Sequence, residues 1–430
     1  MEIKLRYSSD SVSLEVPEQN IAQYIKPDSE SKSTDNFSVI SNAIESANPE
    51  DFKTAILDKK LCIITTDGSR DFPLGDILPQ LLKSLSNCKS VSYVIATGTH
   101  NSETKQNERI VETIEKYVSK PYIHIHDCMA DSFVTAGKTS RGTAVEYNSV
   151  INDAEMFLVL SDVKFHYFAG YSNPVKNFVP GICSYKTAEG NHSLALDEQS
   201  AFGLHPLQND PARRDNPLAC DQLEAMRMIV GDRKVWAFTT VSTHGNIGWA
   251  KFDKIDSAAA CAFDIADQRN AKTVEPVDYL IVSPGGLPND VDLYISQRAL
   301  ELTKSGVNDG GEILFLSACP EGVGSERTKE NFYNILIRPL DEILAAKGDD
   351  YKLFSHKPYK FAQLISRLKH LWIFTNIPEA ECKKMHLDPT DDPQEVVNDW
   401  IGKNPTAQIL IVDGANKIAL KTAAGGEDAV

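Results

Sequence analysis

No stretch of this 430-residue sequence approaches the roughly 18 to 20 consecutive apolar residues needed to cross a bilayer, so a helical membrane protein is excluded. No C-x-x-C pair occurs either. The eight cysteines stand singly at 62, 88, 128, 183, 220, 261, 319 and 382. That scatter disfavours a disulfide framework, a cysteine zinc site, and nickel or copper held on protein thiolates, and a reducing cytoplasm fits best. Basic residues are few beside acidic ones: 44 Lys and Arg against 60 Asp and Glu, a net charge of −16. A field of that sign repels a phosphate backbone, so nucleic acid is not an expected partner. Two nucleotide signatures are missing. There is no G-x-G-x-x-G between a strand and a helix, against an NAD-dependent dehydrogenase, and no G-x-x-x-x-G-K-[ST] phosphate loop. The opening segment, Met1-Glu2-Ile3-Lys4-Leu5-Arg6-Tyr7, alternates like a strand and has no apolar signal core. Neither a fixed-period repeat nor a low-complexity block is present.

What is present is enough chain for two domains and a repeating order of short β-branched runs, polar loops and helical patterns. Strands are expected over 61–66, 91–96, 122–126 and 156–160, with helices over 73–86 and 103–118 between the first three. This is the signature of an α/β domain with a largely parallel sheet. A helix over 254–271 runs into Ala271-Lys272-Thr273-Val274-Glu275-Pro276, which has linker character. The pattern then restarts with a strand over 277–283, a helix over 290–304, a strand over 313–317, a helix over 331–346 and a strand over 371–375. The expectation is therefore an N-terminal cofactor-binding and catalytic domain over 1–273 and a second α/β domain over 274–406. A hinge would separate them, with a ligand in the cleft. The tail over 407–430 reads as a hairpin around Gly414-Ala415-Asn416 and is a candidate addition to the first domain.

In open α/β sheets, chemistry collects at the carboxyl ends of the strands. Here those ends carry Asp67-Gly68-Ser69-Arg70, Gly98-Thr99-His100 and Asp162-Val163-Lys164-Phe165-His166. The densest stretch, 165–181, sets His166 and Lys176 in an aromatic loop closed by Pro180-Gly181, and Asn191-His192 follows. A lysine in such surroundings can become a nucleophile suited to covalent attachment. Imidazoles serve as acid–base groups near neutrality and as ligands for late first-row metals. Taken alone, a histidine at a strand end is usually a structural or surface residue.

Together the segments resemble the nickel-dependent lactate racemase family, over nearly the whole chain and most densely in 62–192. The family's D-x-T-R-P stretch is similar to Asp67-Gly68-Ser69-Arg70, with serine for threonine and the proline displaced to 73. Ala96-Thr97-Gly98-Thr99-His100 matches its A-T-G-T-H outright. His126-Asp127 and Gly142-Thr143-Ala144-Val145 match two further segments. His166 to Ile182 follows the family's H-x-F-A-G-[FY]-S-G-G-x-K-x-x-x-P-G-I, and Asn191-His192 its N-H. The gaps of 66, 10 and 16 residues between His100, His166, Lys176 and His192 match as well.

The resemblance implies a nickel pincer nucleotide attached covalently to Lys176, with His192 as the protein's own ligand to square-planar Ni(II) and the sulfur ligands arriving on the cofactor. It implies His100 and His166 as acid–base residues on opposite faces of the substrate. Asp67, Ser69 and Arg70 would hold the cofactor or the substrate anion, with Ser172 near the nucleotide phosphate. The implied activity is inversion of a 2-hydroxy acid at C2. Hydride removal to the cofactor suits this chemistry, because the neighbouring carboxylate makes C2–H a very weak acid, and a transient 2-keto acid would take the hydride back on its other face. Cofactor-biosynthesis enzymes are implied as partners.

Departures from the family fall on the substrate side. Its Tyr-Gln-x-x-Lys stretch is Tyr294-Ile295-Ser296-Gln297-Arg298 here, and Ser-Gly-Gly is Ser172-Asn173-Pro174. Ile295 offers no side-chain hydrogen bond. Arg298 can still grip a carboxylate, bidentately, but is no neutral exchange for lysine. His356 and Lys357 open a helix and are either further substrate contacts or simply a helix start. Pro284-Gly285-Gly286 is either an anion cradle or a plain turn. These differences point from lactate to a longer or sugar-derived 2-hydroxy acid, such as an aldonate. The competing class is a non-catalytic cofactor or solute-binding two-domain protein, against which the His100 and His166 pair argues.

Overall fold

The computed structural model describes residues 1–27, 35–47, 49–70, 72–243, 245–346, 348 and 351–422. His244 and the Gly425-Gly426-Glu427-Asp428 segment, the latter expected to lack order, lie outside the described residues. The fold is α/β, and the chain divides into two compact units, residues 30–268 and residues 1–29 with 269–430.

The unit of residues 30–268 is built on a six-stranded sheet in the order Asn246–Lys254, Lys234–Thr243, Met156–Asp162, Lys60–Thr66, Ser90–Ala96, Tyr122–Ile125. All neighbours are parallel except the first pair. Alternation along the strands explains the three layers. Cys62, Ile64, Val94, Phe157 and Val159 pack on one face with helices Pro217–Val230 and Ile255–Asn270. Leu61, Ile63, Tyr93, Leu158 and Leu160 pack on the other with helices Asn36–Ser46 and Leu74–Leu82. Strand order reverses between Lys60–Thr66 and Met156–Asp162, and this reversal is where an open α/β sheet leaves a crevice.

The second unit has its own six-stranded sheet, entirely parallel: Asp388–Pro389, His370–Phe374, Val307–Leu316, Val277–Ser283, Ile409–Asp413, Ile21–Ile25. Four expectations change here. Residues 1–29 belong to this unit, because Ile21–Ile25 pairs with Ile409–Asp413 while Ile3, Leu5 and Leu14 pack against Ile281, Leu314 and Trp400. The tail belongs here too and is no hairpin: Ile409–Asp413 enters the large sheet, and Ala419–Thr422 pairs in parallel with Ala271–Val274. That pairing makes the expected linker a strand. The helix expected over 331–346 is broken into Tyr333–Leu336 and Leu340–Ala345, since Pro339 can neither donate to a helical turn nor let its predecessor stay helical. Among the described residues, no helix is long and apolar enough to cross a membrane.

Candidate active site

Asp67 follows the central strand of the unit of residues 30–268 and is buried. Its carboxylate accepts from His100 Nδ1 at 2.8 Å and Ser69 Oγ at 2.9 Å, with Arg70 Nε at 3.9 Å. Burial pushes this carboxyl up, but the charges of His100 and Arg70 and the bonds from His100 and Ser69 outweigh it, leaving Asp67 below the ordinary carboxylate range. The pair fixes the His100 ring: with Nδ1 given to Asp67, Nε2 is the ring nitrogen that could take up or release a proton. Gly68 is required by close approach, since a Cβ there would lie 2.4 Å from Gln106 Cβ. Its amide is held by Asn107 Oδ1 at 2.8 Å.

The neighbouring loops are tied together through their backbones. Gly98 N donates to Gly181 O at 2.9 Å, and Thr97 Oγ1 to His126 O at 2.5 Å. Fully buried His126 donates from Nε2 to Cys183 O at 3.0 Å. It acts through these bonds, as a support for the loop that carries His100.

His166 ends a short strand, Lys164–His166, that folds back onto Gly170–Ser172. The reversal needs Gly170, at φ +74°, where a Cβ would sit 2.0 Å from Leu204 O. The His166 ring stacks on Tyr167 at 5.5 Å and meets the Phe168 ring edge-on at 4.4 Å. Its Nδ1 accepts the Ala169 amide at 3.4 Å. Lys176 lies in the short helix Pro174–Asn177, whose cap is Asn173: its Oδ1 accepts Val175 N at 2.8 Å and Lys176 N at 3.3 Å. The Asn173-Pro174 pair thus sets this turn without the flexibility of two glycines, because proline at a first helical position gives up no needed donor.

Lys176 Nζ stands 5.5 Å over the Phe168 ring, and His192, from helix Tyr185–Ser193, packs edge-on against the same ring at 5.3 Å. Burial, and then the charge of Lys176, push the His192 imidazole down to about 3, so it stays neutral with a lone pair to offer. His166, Lys176 and His192 therefore share one aromatic neighbour. Phe168 lay inside the recognised stretch without an assigned role, and only the fold could reveal that these three candidate side chains converge on it.

Comparison with known proteins bears directly on this arrangement. Residues 7–203 match the model of the lactate racemase N-terminal domain. The chain is 26% identical to a lactate racemase of Thermoanaerobacterium thermosaccharolyticum, over 97% of this chain and 98% of that one. A lactate racemase of Lactiplantibacillus plantarum is 24% identical over 64% of each chain. Residues 7–203 thus carry a lactate racemase N-terminal domain, and similarity to lactate racemases runs over nearly the whole chain. Its fold matches the lactate racemase apoprotein of T. thermosaccharolyticum at a TM-score of 0.83, with 21% identity, 98% of this chain and 100% of that one. A Thermotoga maritima protein structure matches at 0.68, with 14% identity, 92% of this chain and 100% of that one. The family homology supports an isomerase of the racemase type.

The residues singled out in the second unit also cluster. Helix Leu293–Thr303 starts at Asp292, whose Oδ1 accepts Ile295 N at 2.6 Å. Lys357 Nζ lies 3.9 Å over the Tyr294 ring and donates to the Tyr294 carbonyl. Gln297 Nε2 donates to Lys357 O at 3.3 Å, and Tyr351 Oη pairs with His356 Nδ1 at 2.7 Å. Burial pushes Lys357 down to about 7 against the pull of Asp292, while burial pushes Asp292 up to about 6. Ile295 is exposed on the same helix. Pro284-Gly285-Gly286 is a packing turn: a Gly286 Cβ would meet Ser8 O at 2.6 Å.

Proposed function

We propose that this protein is a racemase or epimerase that inverts C2 of a 2-hydroxy acid, with a nickel pincer nucleotide attached to Lys176. The observation that carries the reading is the grouping of His166, Lys176 and His192 around Phe168. The chain's residues fit the cofactor. No group of three or more His, Cys, Asp or Glu able to hold a metal occurs among the described residues, so a metal here must bring most of its ligands with it. Cys183, in the same core, is buried, and that burial pushes its thiol up. One neutral imidazole, His192, lies in the same aromatic pocket as the lysine. Among the described residues the buried Ser172 hydroxyl has no hydrogen-bond partner, as suits a group that a bound phosphate completes.

The cofactor, when bound, supplies the electron sink for the hydrogen on C2. The chain's residues handle the proton. His100 in its neutral form has its Nδ1 proton on Asp67 and its Nε2 lone pair ready to take the substrate hydroxyl proton. His166, with Nδ1 accepting the Ala169 amide, carries its proton on Nε2 in the neutral form and is set to donate. These tautomers follow from the hydrogen bonds. Complementary states in the two histidines let the enzyme handle either stereoisomer, with the roles exchanged. Asp67, Ser69 and Arg70 orient the substrate anion or the cofactor. Tyr294, Ile295, Arg298, His356 and Lys357 are the candidate substrate contacts of the second unit, and the exchange of glutamine and lysine for Ile295 and Arg298 favours a 2-hydroxy acid other than lactate, longer or sugar-derived. The protein acts in the cytoplasm and receives its cofactor from biosynthetic enzymes.

Intact-mass measurement on protein produced with the cofactor-making enzymes tests the reading. A nickel-dependent adduct on Lys176, absent in Lys176→Ala, is expected, and protein without any adduct rejects it. Turnover across a panel of chiral 2-hydroxy acids then tests the substrate: activity confined to lactate overturns that part.

A further inference from the structure

Asn191-His192 is anchored by a residue outside every recognised motif. Asp221, fully buried on helix Pro217–Val230, accepts hydrogen bonds from Thr139 Oγ1 at 2.5 Å, Thr143 Oγ1 at 2.8 Å and Asn191 Nδ2 at 2.9 Å. All three donors are neutral, and no ion pair reaches this carboxyl group among the described residues. Such a group is costly to bury and is retained only where its bonds hold something in place.

What it holds can be named. The Asn191 amide has a single workable orientation: Oδ1 accepts from Gln222 Nε2 at 3.1 Å, and Nδ2 donates to Asp221 and also to Leu218 O at 3.2 Å. A flip would turn its oxygen onto the Asp221 carboxylate. Thr139 and Thr143 bracket the turn of the hairpin formed by Phe133–Lys138 and Ala144–Asn148, and Gly190 lies beside Thr143, where an added Cβ would make ordinary contact at 3.5 Å. Asp221 thereby joins that hairpin to the helix that carries His192. The same helix start secures the other side of His192: its cap, Asn216, donates to Phe168 O at 3.0 Å, and the Phe168 ring is the one His192 packs against.

We infer that Asp221 is a positioning residue for His192, which acts through Asn191 and sets how firmly that imidazole keeps the metal. The inference rests on the proposed role of His192 as metal ligand. Groups behind a metal-binding histidine commonly change metal retention by about 10–100-fold when altered.

The test uses full-length cofactor-loaded protein, challenged with an excess of a nickel chelator. Nickel content is followed over time, alongside intact mass and the visible absorption of the nickel chromophore. Asp221→Asn, similar in size, should keep the Lys176 adduct yet lose nickel about 10–100-fold faster, with a shifted absorption band. Glu224→Gln is the control on the same helix: Glu224 holds Ser140, at 2.7 Å to its amide and 2.6 Å to its hydroxyl, and its replacement should leave nickel loss and absorption as in the parent. If Asp221→Asn does not fold, Thr143→Val removes one donor and should show a smaller acceleration. Parental nickel loss and absorption in Asp221→Asn, or in Thr143→Val in its place, overturns the inference. A parent protein without any nickel-dependent adduct rejects the proposed function, and this inference with it.

Discussion

The two units treat the same structural opportunity in opposite ways. Each has a six-stranded sheet whose strand order reverses beside a central strand, and each sets polar groups at the carboxyl end there. In the unit of residues 30–268 that end is Asp67, and its partner His100 stays half-exposed, with 47% of its side chain accessible. In the other unit the end is sealed by the chain's own N-terminus. Ser283 donates its hydroxyl to the Arg6 carbonyl, Asp413 takes the Arg6 guanidinium at 3.1 Å, and Asp290 accepts the Ser8 amide at 2.8 Å. Topology offers a crevice in both sheets, but a ligand can use one only where the polar groups are not already taken by the chain itself.

That contrast can be broken experimentally, and the largest effect should come from the open edge. His100→Ala or His166→Ala should lower turnover by about 10²–10⁴-fold while shifting thermal unfolding by only about 2 °C. A loss of stability on the scale of the loss of rate would erase the distinction between the two edges. Arg6→Ala should behave in the reverse sense, costing about 2 kcal/mol in denaturant unfolding because it leaves Asp413 without its charged partner. Turnover per folded molecule should hold, and an unchanged unfolding midpoint would contradict the sealing role.

The smallest effect concerns Lys357, the buried cation that faces Asp292, Arg298, Glu301 and the Tyr294 ring. Its folded value of about 7 lies below the ordinary lysine value of 10.5. Between those limits the unfolded chain binds the extra proton, so stability rises with pH across the window and the burial penalty is full below it. Lys357→Met should therefore stabilise the protein at pH 6, by about 1 kcal/mol, with the gain fading by pH 10. Thermal unfolding across that range checks the sign. A gain in stability joined to a loss of turnover would mark a residue kept for function at a structural cost.

The sheet of the first unit was legible because its strands are short apolar runs between polar loops, with alternating residues feeding two separate cores. His100, His166, Lys176 and His192 could be singled out because their spacing is a linear property of the chain, and the fold brings the last three onto Phe168. Contacts between distant segments were not. Nothing near Asp221 in sequence points to Asn191, which lies 30 positions away, and nothing in Ile21–Ile25 announces a parallel partner at Ile409–Asp413. The tail misled for a physical reason: two apolar strands around a glycine turn look like a hairpin, yet Gly414, at φ +77°, sends the chain on to a different sheet.

The backbone bond from Gly98 to Gly181, with the Thr97 and His126 links beside it, also governs what the protein can become. Loops on a sheet edge usually diverge in length, since each is anchored only by its own strands. Here the segments that follow two of the strands are fastened to the one that carries Pro180 and Gly181, so an insertion in any of them would drag the others. Diversification at this edge must proceed by exchanging side chains in place, and new length can be gained cheaply only in loops outside the clamp.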